Sequence, residues 1–165
     1  MYHVTIIEDD QMQAEAALSM LDRHPRRKEL TVNQMASASE LKSFLSRPLG
    51  GGGRVIDILL MDVDLGPGEL NGIEAVRQLV PEGSGIQVIY LTGYAEYCTR
   101  AYRTQHVYFL VKPVQQGDFN DAISRAMTNL DAMANSPLCI KTGSSLLRVV
   151  PQQITYQESD RRKVR

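Results

Sequence analysis

Val55-Ile56-Asp57-Ile58-Leu59-Leu60-Met61-Asp62 is a short aliphatic and β-branched run that stops on a carboxylate. An earlier run, Val4-Thr5-Ile6-Ile7, stops the same way, on Glu8-Asp9-Asp10. Helix-like sequence follows each run, a pattern that predicts parallel strands delivering acids to one edge of a sheet. Carboxylates crowded there repel one another. Such a cluster requires a hard cation or bound protons, and oxygen ligands of this kind suit Mg2+. Asp62 is thus the leading candidate for metal-dependent chemistry.

Outward from these runs, the same β-then-α unit repeats. After His3–Ile7, Ala14, Ala17, Leu18 and Leu21 recur at the three-to-four spacing of an amphipathic helix. The second unit is Thr31–Met35 with a helix opened by Ser37 and Glu40 at capping-box spacing, ahead of Leu41, Phe44 and Leu45. Pro48 and Gly50–Gly53 then break the chain; the glycine run lacks the Lys-Ser/Thr end of a phosphate-binding loop and reads as a connector. Val55–Met61 with Gly72–Val80, Gln87–Leu91 with Ala95–Tyr102, and Val107–Val111 with Gln115–Ala134 complete five units. Phe119, Ile123, Ala126 and Leu130 line one face of the last helix, which is core packing. Uniformly apolar strands alternating with helices predict an α/β fold, a doubly wound parallel sheet with right-handed crossovers and ligands beyond the strands' carboxyl ends.

Those ends carry Glu8, Asp9, Asp62, Thr92 and Lys112. A carboxylate nucleophile at Asp62 suits attack on a phosphoryl donor, a cation held by Asp9 suits the transferring oxygens, and the Lys112 ammonium and Thr92 hydroxyl suit the arriving negative charge. Taken singly, a strand-end threonine is usually a cap and a lysine is usually solvated. The set together is harder to assign to structure alone.

The chain has 165 residues, of which 43% are hydrophobic and 22% charged, ordinary values for a globular protein. Its apolar runs fall far short of the roughly 20 residues that span a bilayer, and no leader pattern opens it, so a cytoplasmic protein without membrane contact is expected. Cys98 and Cys139 have neither metal-site nor disulfide-framework spacing. His3, His24 and His106 read as structural or solvated. Residues 138–165 hold six Lys/Arg and two Asp/Glu, so the overall −1 divides into +4 there and −5 before it. A basic end on an acidic body points modestly to an anionic partner.

The strings Ile6-Ile7-Glu8-Asp9-Asp10, Leu59-Leu60-Met61-Asp62, Asn71-Gly72-Ile73-Glu74, Ile89-Tyr90-Leu91-Thr92-Gly93 and Leu110-Val111-Lys112-Pro113 closely resemble the receiver domain of bacterial two-component response regulators. Five motifs fall in the right order over residues 1–130. The resemblance implies a flavodoxin-like five-stranded parallel sheet of order 2-1-3-4-5. It implies Asp62 as phosphoacceptor, Asp9 as direct Mg2+ ligand, Glu8 acting on the metal through water, and Asp64 contributing its backbone carbonyl. Thr92 and Lys112 would bind the phosphoryl group, Thr92 and Phe109 would form the switch, and Lys112-Pro113 would be a cis peptide. The partners implied are a sensor histidine kinase and a second copy of the chain. The second copy would dock through segments 95–102, 107–111 and 115–134, where Arg100, Arg103, Asp118, Asp121 and Arg125 are candidate contacts. One departure stands out: Gly72 lies ten positions after Asp62, two more than usual, with Leu65-Gly66-Pro67-Gly68-Glu69-Leu70 between them.

After a linker at 131–137, Leu138–Lys141, Leu147–Val150 and Ile154–Glu158 read as short strands and resemble the opening of a LytTR-type DNA-binding domain. Such a domain needs about a hundred residues, so 138–165 is expected to be its truncated start, an all-β fragment. Arg161, Arg162 and Lys163 are its candidate DNA contacts, with DNA binding expected of the whole domain and not of this fragment. Two other readings exist. One is a receiver-like docking module that takes no phosphate. The other is a phosphatase using the Asp62-Val63-Asp64 string, which strand order and Gly66 argue against.

Overall fold

The computed structural model describes residues 1–46, 56–66, 68–94, 97 and 108–136, and the backbone of strands at 138–142, 145–149, 159–160 and 163–164. Met1–Met127 forms one compact unit and Thr128–Arg165 a second.

The first unit holds strands β1 (Tyr2–Ile7), β2 (Leu30–Met35), β3 (Ile58–Asp62), β4 (Gln87–Thr92) and β5 (Tyr108–Val111). All pair in parallel, in the order β2-β1-β3-β4-β5. This is the expected doubly wound sheet. Helices α1 (Gln11–Asp22), α2 (Ala38–Leu45), α3 (Gly72–Leu79) and α4 (Gln116–Ala134) lie among the strands in sequence. Among the described residues no helix is long and apolar enough to cross a membrane.

The central strands are apolar because both faces are covered: Ile58, Leu59, Leu60 and Met61 of β3 are wholly buried, and every residue of β4 is buried. Burying each such side chain stabilises by about 1.5–3 kcal/mol relative to exposure. Edge strand β2 is apolar only at Leu30, Val32 and Met35, and its other residues are exposed.

Register does the positioning. Ile7 pairs with Met61, so the next residues, Glu8 and Asp62, leave neighbouring strands at the same level. Asp62 pairs with Leu91 and Thr92 with Val111, which brings Thr92 and Lys112 to the same edge.

Local chemistry sets the helix starts. Asp10 caps α1, its carboxylate accepting from the Gln13 N–H at 3.0 Å. Asn71 caps α3 by accepting from Ile73 N–H at 3.0 Å. Ser37 caps α2 as expected, accepting from Glu40 N–H at 3.1 Å. The return arm of that box differs: Glu40 accepts from the amide of Ala36, at 3.4 Å, one residue before the cap.

One further expectation is corrected, and one open reading is resolved. The run from Val55 was read as strand throughout, but β3 begins at Ile58 and includes Asp62 as its last residue. Asp57 is diverted: its carboxylate accepts from His3 N–H at 2.7 Å and its own N–H donates to the His3 carbonyl at 2.9 Å. His24, left open between structural and solvated, is buried at 3% exposure. Its Nδ1 accepts from Arg26 N–H, which leaves the proton on Nε2, facing the Asn120 carbonyl and Ser124 hydroxyl of α4.

In the second unit β6 (Leu138–Thr142) and β7 (Ser145–Val149) pair antiparallel, as do β8 (Ser159–Asp160) and β9 (Lys163–Val164). The glycine run Gly50–Gly53, the helix expected at Ala95–Tyr102 apart from Tyr97, the strand expected at Ile154–Glu158, and Arg161 and Arg162 lie outside the described residues.

Candidate functional site

Glu8, Asp9 and Asp62 each place a carboxylate oxygen within 4.8 Å of the others. Glu8 and Asp62 are buried, Asp9 is exposed. Lys112 closes the group, its Nζ donating to Glu8 Oε2 at 2.7 Å and to Asp62 Oδ1 at 2.8 Å. The other oxygen of Asp62, Oδ2, accepts from the Asp64 N–H at 3.0 Å. Three carboxylates and one ammonium leave two negative charges, which is the charge a divalent cation cancels.

Burial dominates the titration of the pair inside. It pushes the Glu8 carboxyl up, against the hydrogen bond from Lys112, and the nearby Asp62 charge pushes the same way. Burial likewise pushes Asp62 up, with Lys112 and the Asp64 and Val63 amides opposing. For Lys112 burial favours the neutral amine, but its two carboxylate partners together prevail and hold it above the ordinary lysine value.

Glu8, Asp9, Asp62 and Lys112 are thus brought into one cluster, with the Asp64 amide against it. Thr92 is wholly buried, and its hydroxyl accepts from the Tyr94 N–H at 3.1 Å, within its own loop. Phe109 packs half-buried against Tyr90, ring centroids 6.0 Å apart and tilted by 49°. The Lys112–Pro113 peptide is cis. Asp10, adjacent to the cluster in sequence, serves α1 as its cap. Lys163 lies in β9.

Two features escaped sequence reasoning. The lysine was assigned to incoming charge, whereas it already bridges two buried acids, so the cluster is not held by protons or metal alone. Gly66 approaches Asp9: a Cβ built on it would lie 2.8 Å from Asp9 Oδ2. The only signal for that approach was a glycine in the lengthened loop. Gly72 behaves similarly on the backbone side, where a Cβ would run into the Asp62 carbonyl oxygen and lie 2.9 Å from Met61 Cγ.

The family model for the response regulator receiver domain matches residues 4–124. The chain belongs to that family, a signalling module of two-component systems. It is 28% identical over 121 residues to the sensory transduction protein LytR of Streptococcus agalactiae, an alignment covering 73% of this chain and 46% of that protein. The chain therefore spans about half the length of the curated relative it matches. Among solved structures, the CheY-like receiver domain from Methanospirillum hungatei superposes with a TM-score of 0.65 at 19% identity, covering 81% of this chain and 98% of that one. A receiver domain protein from Clostridium thermocellum gives 0.64 at 21% identity, covering 81% and 99%. These likenesses carry the fold.

Proposed function

We propose that this chain is a phosphorylation-driven switch, in which Asp62 takes a phosphoryl group from a sensor histidine kinase. The observation that carries the reading is the Lys112 ammonium held against both Glu8 and Asp62 at the end of parallel strands. A buried carboxylate, a fixed cation and a second acidic ligand are the parts such a transfer needs.

The donor set fits Mg2+. Asp9 and Asp62, with the Asp64 backbone carbonyl, would hold it directly, and Glu8 would act through water. When bound, Mg2+ supplies the positive charge that offsets repulsion between the Asp62 carboxylate and the phosphoryl oxygens. An Asp62 oxygen attacks phosphorus, the phosphorus–nitrogen bond of the kinase's phosphohistidine breaks, and an acyl phosphate forms while the imidazole leaves. Lys112 then exchanges its carboxylate partners for phosphoryl oxygens. The Thr92 hydroxyl leaves the Tyr94 amide to donate to the phosphoryl group, and Phe109 moves into the space that Thr92 vacates. Phe109 has no hydroxyl, so this movement works through packing alone.

The output is self-association through the β5 and α4 face, where Asp118, Asp121 and Arg125 are exposed. Arg100 and Arg103, the other expected contacts, lie outside the described residues. The tail is the start of a LytTR-type DNA-binding domain, a reading supported by the antiparallel β6–β7 and β8–β9 pairs and by the LytR relative. A kinase input and a DNA output fit a cytoplasmic protein.

The test is intact-protein mass after incubation with acetyl phosphate and Mg2+, for the parent and Asp62→Asn. A phosphoryl adduct on the parent, absent from the variant and from a metal-free control, supports the reading. A folded, Mg2+-binding parent with no adduct refutes it in favour of a phosphate-independent docking module.

A further inference from the structure

The lengthened loop after Asp62 contains two glycines in the left-handed region, Gly66 at φ +79° and Gly68 at φ +90°. Any L side chain is strained at either position. They differ in what a side chain would meet. At Gly68 a Cβ would find nothing within 4 Å, whereas at Gly66 it would lie 2.8 Å from Asp9 Oδ2.

We propose that Gly66 is a positioning residue for Asp9: its bare Cα leaves the space in which the Asp9 carboxylate stands beside Glu8 and Asp62. The proposal rests on the reading of Asp9 as a metal ligand. The loop's course past Asp9 is fixed on both sides of Gly66. Leu65 is buried at 3% exposure, and further on Asn71 caps α3 while Glu69 comes within 3.5 Å of the Ser39 hydroxyl. The group in the way is the far end of a flexible, exposed side chain rather than backbone. A methyl at position 66 is therefore accommodated by swinging the carboxylate out towards solvent. The fold yields little beyond the φ strain, and the loss falls on the metal site.

The paired glycines provide the control. Mg2+ affinity by calorimetry and melting temperature in chelator are measured for the whole chain, its Gly66→Ala and its Gly68→Ala. Both variants should melt lower by similar amounts, since both carry the left-handed strain. Gly66→Ala alone should bind Mg2+ more weakly, by about 10- to 100-fold, the scale seen when a ligand loses its support. In an Asp9→Asn background the Gly66→Ala change should have little further effect on Mg2+, because it acts through Asp9. Parental affinity in Gly66→Ala, an equal loss in Gly68→Ala, or additive losses with Asp9→Asn would each overturn the proposal. A parent that binds no Mg2+ overturns the underlying reading as well, whereas a binding parent matched by Gly66→Ala sinks the positioning role alone. Should Gly66→Ala fail to fold, Gly66→Asn and Gly68→Asn give the same comparison, since asparagine tolerates left-handed backbone.

Discussion

Lys112 Nζ lies 2.8 Å from Asp62 Oδ1 and 2.7 Å from Glu8 Oε2, so one partly buried ammonium counters two buried carboxylates. Removing it leaves those acids as neighbouring like charges with little water to solvate them.

Lys112→Ala should therefore destabilise the metal-free protein. Breaking a buried ion pair costs about 3–5 kcal/mol, and discounting for the 21% exposure of the lysine side chain gives about 1–3 kcal/mol here. Added Mg2+ should restore much of that loss, since the cation supplies the missing positive charge. Urea unfolding with chelator and with saturating Mg2+ measures both. A variant that loses stability equally in the two buffers would separate Lys112 from the electrostatics of the cluster.

Asp62→Asn should behave in the opposite sense. Burial raises the Asp62 carboxyl above its ordinary 3.8, so ionising it costs more in the folded state than in the unfolded one. A folded pKa above the unfolded one means stability is greatest at low pH and is lost as pH rises through the folded value. In metal-free neutral buffer the parent carries that loss and the asparagine variant does not. The variant should melt higher than the parent in that buffer. The gain should vanish as pH falls towards the ordinary carboxylate range. Saturating Mg2+ should reverse the order, because the parent gains binding energy that the variant lacks. Melting curves across pH, with and without metal, check all three outcomes.

These opposed effects show which parts of the molecule the sequence could disclose. The strand runs, their parallel order and the acids at their ends were legible because burial on two faces demands continuous apolar residues, and Ile58–Met61 have no polar interruption. The start of β3 was not legible, since an Asp at position 57 looks like a lapse in a strand until its carboxylate is seen on the His3 amide. Asp10 looked like a third acid of the cluster because sequence adjacency cannot separate a ligand from a helix cap. Gly66 was invisible because its effect depends on a contact across two loops 57 positions apart, which no local period encodes.

His24 gives a pH response of the other sign. Burial, chiefly, holds its imidazole below the ordinary 6.5. The Arg26 charge adds to that, while the Asn120 carbonyl and Glu29 oppose it. A folded pKa below the unfolded one means that, as pH drops below 6.5, the unfolded chain takes up a proton the folded chain refuses. The His24 contribution to stability should fall as pH drops through 6.5, and His24→Gln should remove that fall. At neutral pH the same variant should cost about 1–2 kcal/mol through lost hydrogen bonds to Arg26 and α4. A variant with the fall unchanged would mean that His24 is protonated equally in both states.

Gly72 and Gly117 should respond oppositely to the same methyl group. At Gly72 the added Cβ would run into the Asp62 carbonyl oxygen and crowd Met61 Cγ at 2.9 Å, on a strand that is wholly buried. Backbone cannot swing aside as the Asp9 carboxylate can, so α3 must lift from β3. Overpacking of this kind costs about 1–3 kcal/mol. It should also disturb the Gly72 N–H to Val63 carbonyl bond, now 2.9 Å, that ties the helix start beside Asp62. At Gly117, in the first turn of α4, a Cβ meets nothing within 4 Å. Alanine there removes backbone freedom from the unfolded chain and should stabilise by about 0.5 kcal/mol. Denaturation of the two variants beside the parent measures the contrast, and phosphoryl uptake from acetyl phosphate should fall in Gly72→Ala while remaining at the parental level in Gly117→Ala. A Gly72→Ala variant as stable as the parent would show that the helix start is free to move, and that the tight approach to Asp62 places no demand on residue 72.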